Sequence, residues 1–325
     1  MSRAPSQPSA PQIASSPVLL VIRYPARMGS EAGGMQRAIV PLRRRMRTSV
    51  EVLAMIVRTT AAALAALFAF DSAAAADGGL CDERTSERDR VVGERGNAPC
   101  LLLGGSFTEG ETEFSTESQS AGYPVLYASY GRLYVDFPEL GYYLLGSESG
   151  GGYWGLAALL ELPADGFEVR DETHLADLED REPTLEGGLK LIAGGEWGTV
   201  EIGANADLEG AHDGYSVRAR YELPLRLDTL TFSPGLFATY RDEANGDYYY
   251  GVDEDETSTA RPAFEVDEPT LGVGVGYSLN YRLGPDWGLF HSLRIRVLDE
   301  LLDDSPLTVI GEPSTLSVGV LYRAY

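Results

Sequence analysis

An all-β chain that closes into an antiparallel transmembrane barrel is the fold this sequence predicts, and three observations predict it. After Cys100 apolar and polar residues alternate with period two, in segments of about ten residues, the length that crosses a bilayer as a tilted strand. The connections between these segments are short and long by turns, as in a barrel with tight turns at one end and loops at the other. Glycine (37) and tyrosine (18) are abundant while lysine occurs once, at Lys190, the composition of many short strands and tight turns.

The chain divides before the barrel begins. Nine arginines against Glu31, Glu51 and Asp71 mark the first 76 residues, so the acidic excess behind the net charge of -23 lies after them. Arg58, the apolar run from Ala61 to Phe70 and the alanines ending at Ala76 follow the order of a secretory signal peptide, with cleavage expected after Ala76. The apolar run is about half of what a membrane-spanning helix needs. Met46 and Met55 would each begin a signal of ordinary length. The expected organisation is therefore an atypical or mis-assigned extension over 1–45, a signal region over 46–76, a periplasmic segment over 77–99 and the barrel over 100–325. Cys81 and Cys100 are the only cysteines, and in an oxidising compartment they are a candidate disulfide.

Within the barrel region the spans come in order. Cys100–Thr108 and Tyr123–Tyr130 are the first two. Leu133–Leu145 is broken by Pro138, which belongs at an edge or bulge, and counts as two short strands or as one bent span. Trp154–Leu162, Leu185–Ala193, Val200–Leu208, Val217–Leu223, Leu230–Tyr240, Thr270–Leu283, Trp287–Val297 and Leu316–Tyr322 complete the set, giving twelve strands, with ten as the alternative. In Thr270–Leu283 the odd positions Leu271, Val273, Val275, Tyr277, Leu279 and Tyr281 suit lipid, and Gly272, Gly274, Gly276, Ser278, Asn280 and Arg282 suit water. Trp154, Tyr221, Tyr240, Tyr281, Trp287 and Tyr322 near strand ends are placed for interfacial girdles.

The same parity puts Glu201, Arg218, Arg220, Glu222, Arg282, Arg294 and Arg296 on lumen faces, where they either pair into a ladder that fills the interior or line a narrow pore. Filling is the expectation. A catalytic reading needs a base with partners in register, and His174, His212 and His291 have none on the same face, so no catalytic residue is expected. No phosphate-cradling glycine loop opens a helix, and a net charge of -23 opposes the basic footprint that nucleic acid requires, so neither nucleotide nor nucleic acid is an expected partner. The acidic runs Asp253–Glu256 and Asp299–Asp304 could offer oxygen ligands to calcium. They lack regular ligand spacing and read as solvated loops, with cation bridges to lipopolysaccharide as a secondary expectation. No cofactor or dedicated metal site is expected.

In its motifs the chain after Cys100 resembles the MipA/OmpV family of outer-membrane proteins. The motifs are the Tyr248–Asp253 run (YYYGVD) after an acidic loop, Leu279–Leu283 (LNYRL), Gly284–Trp287 (GPDW), Asp304–Pro306 (DSP) and Gly210–Gly214 (GAHDG). The chain departs from the family at its end, Tyr322–Tyr325 (YRAY), where one extra residue puts Tyr325 out of phase. The resemblance implies an outer-membrane location among lipid and lipopolysaccharide. It also implies a non-enzymatic role as a platform for peptidoglycan-remodelling enzymes, with a lytic transglycosylase and a peptidoglycan synthase as partners. A narrow channel for small solutes is the alternative.

Overall fold

A computed structural model describes residues 91–92, 99–163, 167, 173–179 and 181–324. Residues 1–90, with the expected extension, signal region and Cys81, lie outside the described residues, as does Tyr325.

Thirteen strands are present among the described residues. They are β1 (Cys100–Gly110), β2 (Gln119–Tyr130), β3 (Leu133–Asp136), β4 (Glu139–Ser149), β5 (Gly152–Glu161), β6 (Glu186–Gly195), β7 (Gly198–Asp207), β8 (Tyr215–Glu222), β9 (Leu225–Leu227), β10 (Leu230–Arg241), β11 (Thr270–Arg282), β12 (Trp287–Val297) and β13 (Ser314–Arg323). β8 and β9 both pair with β10 and make one span. The break falls at Pro224, which has no N–H to give to a ladder, while Leu223 N–H still donates to the Pro234 carbonyl. Each strand is antiparallel to its neighbour, and β13 pairs with β1 over Leu102–Gly110, so twelve spans close a ring. The Leu133–Leu145 segment is a hairpin of one short and one full strand, with Pro138 in its turn.

The reason for closure is the solvent. Hydrocarbon offers backbone N–H and C=O groups no partner, so they must pair within the protein, and a ring leaves no edge strand. The outward set is accordingly apolar and uncovered by protein: Phe107, Leu236, Leu271, Val275 and Val318 are each about half exposed or more. Inward positions carry the small and charged residues. Gly274 leaves the room that the Phe237 ring fills, and Gly319 does the same for Phe290. Around the turn end run Trp154, Trp197, Tyr221, Trp287 and Tyr322, with Trp287 and Tyr322 in ring contact at 4.8 Å. Tyr215 and Tyr240 make the corresponding contact at the loop end.

In the long loops the acids Asp253, Glu254, Asp255, Glu300, Asp303 and Asp304 are exposed, yet the same loops also enclose a core. Residues from four connections, Phe114, Leu175, Leu178, Tyr249, Tyr250, Val252, Val266, Leu302 and Leu307, form one buried apolar cluster. This folded cap contains helix α1 (Glu243–Tyr250) and the single turn α2 (Glu300–Asp303). Several of the acids are structural. Asp242 caps α1 by accepting from Asn245 N–H, and Asp299 accepts from Leu301 N–H and Leu271 N–H. Glu256 accepts from Arg181 at 2.7 Å and from the N–H of Asp253. Arg261 binds the carbonyls of His174, Ala176 and Glu256, tying the connection after β5 to the one after β10.

Two outcomes follow from this division between wall and cap. Val275→Arg places a charge on the outward face between Leu236 and Ile295 and should cost about 2–4 kcal/mol if that position lies near the bilayer midplane, read from urea unfolding in lipid vesicles. Leu302→Ala empties a fully buried site in the cap and should weaken packing there by about 2–5 kcal/mol. Limited proteolysis should then cut the loops of this variant while the barrel keeps its heat-resistant mobility on a gel.

Candidate functional site

The lumen is where the inward charges meet. Opposite each other across β5 and β6 stand Glu161 and Glu186, both inward and in direct register. Two carboxylates so placed repel, and one guanidinium holds them: Arg218 donates from Nη1 to Glu161 Oε1 at 2.5 Å and from Nη2 to Glu186 Oε2 at 2.9 Å. Asn205 Nδ2 donates to the remaining Glu161 oxygen. Glu186 is 1% exposed, and burial of a carboxylate this deep is tolerated only with such partners. On the next pair of strands Glu201 faces Arg220 in register and accepts from it at 2.8 Å, with Glu222 at 3.6 Å from the same guanidinium. The lone lysine, Lys190, meets Glu139, which also accepts from the Tyr134 hydroxyl; the ammonium lies 4.9 Å from the Tyr134 ring centre.

The other arginines sit apart from this wall. Arg296 Nη2 meets Glu113 of the cap at 2.7 Å, and Tyr250 of α1 donates to the other Glu113 oxygen. Glu113 is thus the point at which the lumen is joined to the cap. Arg282 donates to the Asp228 carbonyl at 3.4 Å near the turn end. Arg294 lies over the Phe237 ring at 5.9 Å, and among the described residues no carboxylate lies within ion-pair distance of it. By these contacts the seven residues read from parity divide into a paired wall over β3–β8 and an arginine-bearing wall over β10–β12.

Sequence reading missed Glu113, Glu139, Glu161, Glu186, Lys190 and Tyr134. Five of these lie on strands and share the inward parity of their neighbours, so extending the odd–even count to β3, β4, β5 and β6 would have found them. Glu113 lies in a loop and carries no periodic signal.

Each end of the lumen has an occupant. At the turn end Val91 is fully buried against Tyr134, Tyr143, Ala157 and Ile192, over Gly146 and Gly155, whose missing side chains leave the space it takes. Arg132 donates to the carbonyl of Val92 at 3.4 Å. At the loop end lies the cap. Its buried links are the motif residues: Tyr249 and Tyr250 are each 1% exposed, Ser305 Oγ donates to the Tyr250 carbonyl, and His212 Nδ1 accepts from Gly214 N–H. Burial pushes the Tyr248 phenol above its ordinary range despite the Arg181 guanidinium 5.8 Å from its ring centre.

His174 and His212 belong to the cap, and His291 faces outward beside Tyr277 with its rings stacked at 5.6 Å. The three are not brought together. Cys100 is buried at the start of β1, no described cysteine is free, and its candidate partner Cys81 lies outside the described residues. Among the described residues no cluster of three or more His, Cys, Asp or Glu is arranged to hold a metal ion.

Arg218 gives the most direct check on the paired wall. Arg218→Met leaves Glu161 and Glu186 opposed without a counter-ion, and the folding free energy from urea titration in detergent should fall by about 3–5 kcal/mol. A loss below about 1 kcal/mol, the value of an exposed pair, would contradict the buried geometry.

Comparison with known proteins adds the family. The "Putative outer membrane protein YiaT" of Escherichia coli O157:H7 is 28% identical over 50% of this chain and 64% of its own length. The "MltA-interacting protein" of Escherichia coli K12 is 21% identical over 48% of this chain and 64% of its own length. These matches leave more than a third of each relative uncovered. Among solved structures the NanC porin is 10% identical at a TM-score of 0.36, covering 68% of this chain and 98% of that one. The outer-membrane OmpT of Vibrio cholerae is 8% identical at 0.32, covering 70% of this chain and 97% of that one. The family model for MltA-interacting protein MipA matches residues 103–324, from within the first strand to the end of the last, so the chain belongs to that family and is an outer-membrane β-barrel protein.

Proposed function

We propose that this protein is a filled, non-catalytic barrel that serves as an interaction platform for peptidoglycan-remodelling enzymes. The observation that carries this reading is the occupancy of both ends of the lumen: Val91 packs inside the turn end, and the cap, held by the Arg296–Glu113 pair, covers the loop end. A barrel occupied in this way presents surfaces rather than a path. The name of the Escherichia coli relative, MltA-interacting protein, supports a lytic transglycosylase as one partner, and a peptidoglycan synthase is the second we propose. The contact would be made through the periplasmic turns, among lipid and lipopolysaccharide. Separation of the three histidines supports the absence of catalysis.

The narrow-channel alternative is favoured by one observation, the polar space left beside Arg294 on the β10–β12 wall. Planar-bilayer recording set beside affinity capture from the same cells separates the two. The platform reading expects no steady conductance from the purified protein and retention of a lytic transglycosylase on the immobilised barrel. Steady, ion-selective conductance with no such retention would overturn it.

A further inference from the structure

The inward residues of β8, β10, β11 and β12 form a feature that neither the paired wall nor the cap uses. In register across these strands lie Glu222, Gly235, Gly276 and Arg294. The two central positions are glycines, so this stretch of wall has a floor without side chains. A Cβ at Gly276 would meet the Leu293 carbonyl oxygen, and one at Gly235 would come within 3.0 Å of the Tyr221 carbonyl oxygen. The hollow above them is bounded by Arg220, Glu222 and Arg294, by the Phe237 ring, and by a row of hydroxyls at Ser233, Ser278 and Ser292. Those three serines are also in mutual register on neighbouring strands. Among the described residues one hydrogen bond joins this row to its surroundings, from Asn280 Nδ2 to Ser278 Oγ at 3.4 Å.

Pairing is uneven at this place. Arg220 is shared between Glu201 and Glu222, whereas Arg294 lies over the Phe237 face and, among the described residues, has no carboxylate within ion-pair distance, although Glu222 lines the same hollow; Arg296 two residues along is committed to Glu113. A guanidinium beside a second guanidinium, set in a wall backed by hydrocarbon, attracts an anion more strongly than it would in open water. Its planar fork suits a carboxylate held by two parallel N–H donors, and hydroxyls can donate to the same oxygens. The cavity measures about 40 Å³. With roughly 10–15 Å³ needed for each water-sized group, this is room for about three heavy atoms, the size of one carboxylate group.

We propose that the lumen wall of β10–β12 binds the carboxylate of a small free solute, with Arg294 as the principal donor and Ser233, Ser278 and Ser292 as the hydroxyl rim. Val91 fills the turn end against β3–β6 residues, so the site lies on the side of the lumen that Val91 does not pack against. Binding does not depend on whether the barrel conducts or docks an enzyme.

The test uses the full folded protein in detergent and formate as the probe, followed by saturation-transfer NMR at fixed ionic strength. Wild type should give a saturable signal, Arg294→Gln should weaken it at least tenfold, and Ser292→Ala should weaken it several-fold. Should Arg294→Gln fail to fold, Arg294→Lys, which keeps the charge and loses the fork, should bind more weakly than wild type and more tightly than no site at all. No saturable formate signal, or a signal that the Arg294 variants leave within twofold of wild type, would overturn the proposal.

Discussion

The rest of the structure depends on a mismatch of solvents across a wall one strand thick. Outside is hydrocarbon, which neither hydrogen-bonds nor hydrates; inside is a space that tolerates charge. A strand turns alternate side chains to opposite faces, so each span must satisfy both solvents with one alternation, and the backbone between must be paired along its length. Closure of β13 on β1, the apolar outward set and the inward carboxylates and guanidiniums are three consequences of that condition.

Within the lumen a second constraint takes over, because charges held by a low-dielectric wall need partners close at hand. Over β3–β8 the register supplies them: carboxylates at Glu161 and Glu186 meet across two strands, and a third strand brings Arg218 to both. Over β10–β12 the inward positions are mostly glycine, serine, threonine, phenylalanine and arginine, and carry no acid. One side of the lumen is therefore internally compensated and the other leaves cationic groups to be met by the cap, as at Arg296, or by a solute, as we propose for Arg294. The same barrel can be filled structurally on one side and keep a polar recess on the other.

Much of this was legible in the residues. The eight spans from Trp154 onward and the first two are where the period-two pattern puts them, because lipid and water enforce the pattern locally, residue by residue. The number twelve was less secure, since Pro138 could mark a bend or a turn, and only pairing of Leu133–Asp136 with Glu139–Tyr142 decides it. The inward faces of Glu201, Arg218, Arg220, Glu222, Arg282, Arg294 and Arg296 follow from parity, but their partners do not: which acid reaches which base depends on the stagger between strands, which no single strand encodes. The cap was hidden for a different reason. Its core is assembled from isolated residues such as Phe114, Leu178, Val266 and Leu307 in four separate connections, each too short in apolar content to show a period. Of the run Asp299–Asp304, read as solvated loop, Asp299 also caps α2 and ties it to β11.

The most direct measurement of the central claim is a cysteine scan from Leu271 to Ser278 in the membrane-embedded protein, with a spin label at each position and relaxation by oxygen, which partitions into lipid, and by a water-soluble nickel chelate. Oxygen accessibility should peak at Leu271, Val273, Val275 and Tyr277 and fall at the residues between, with a period of two. A flat profile, or one in which the odd positions are shielded from both reagents as in a protein core, would contradict the account.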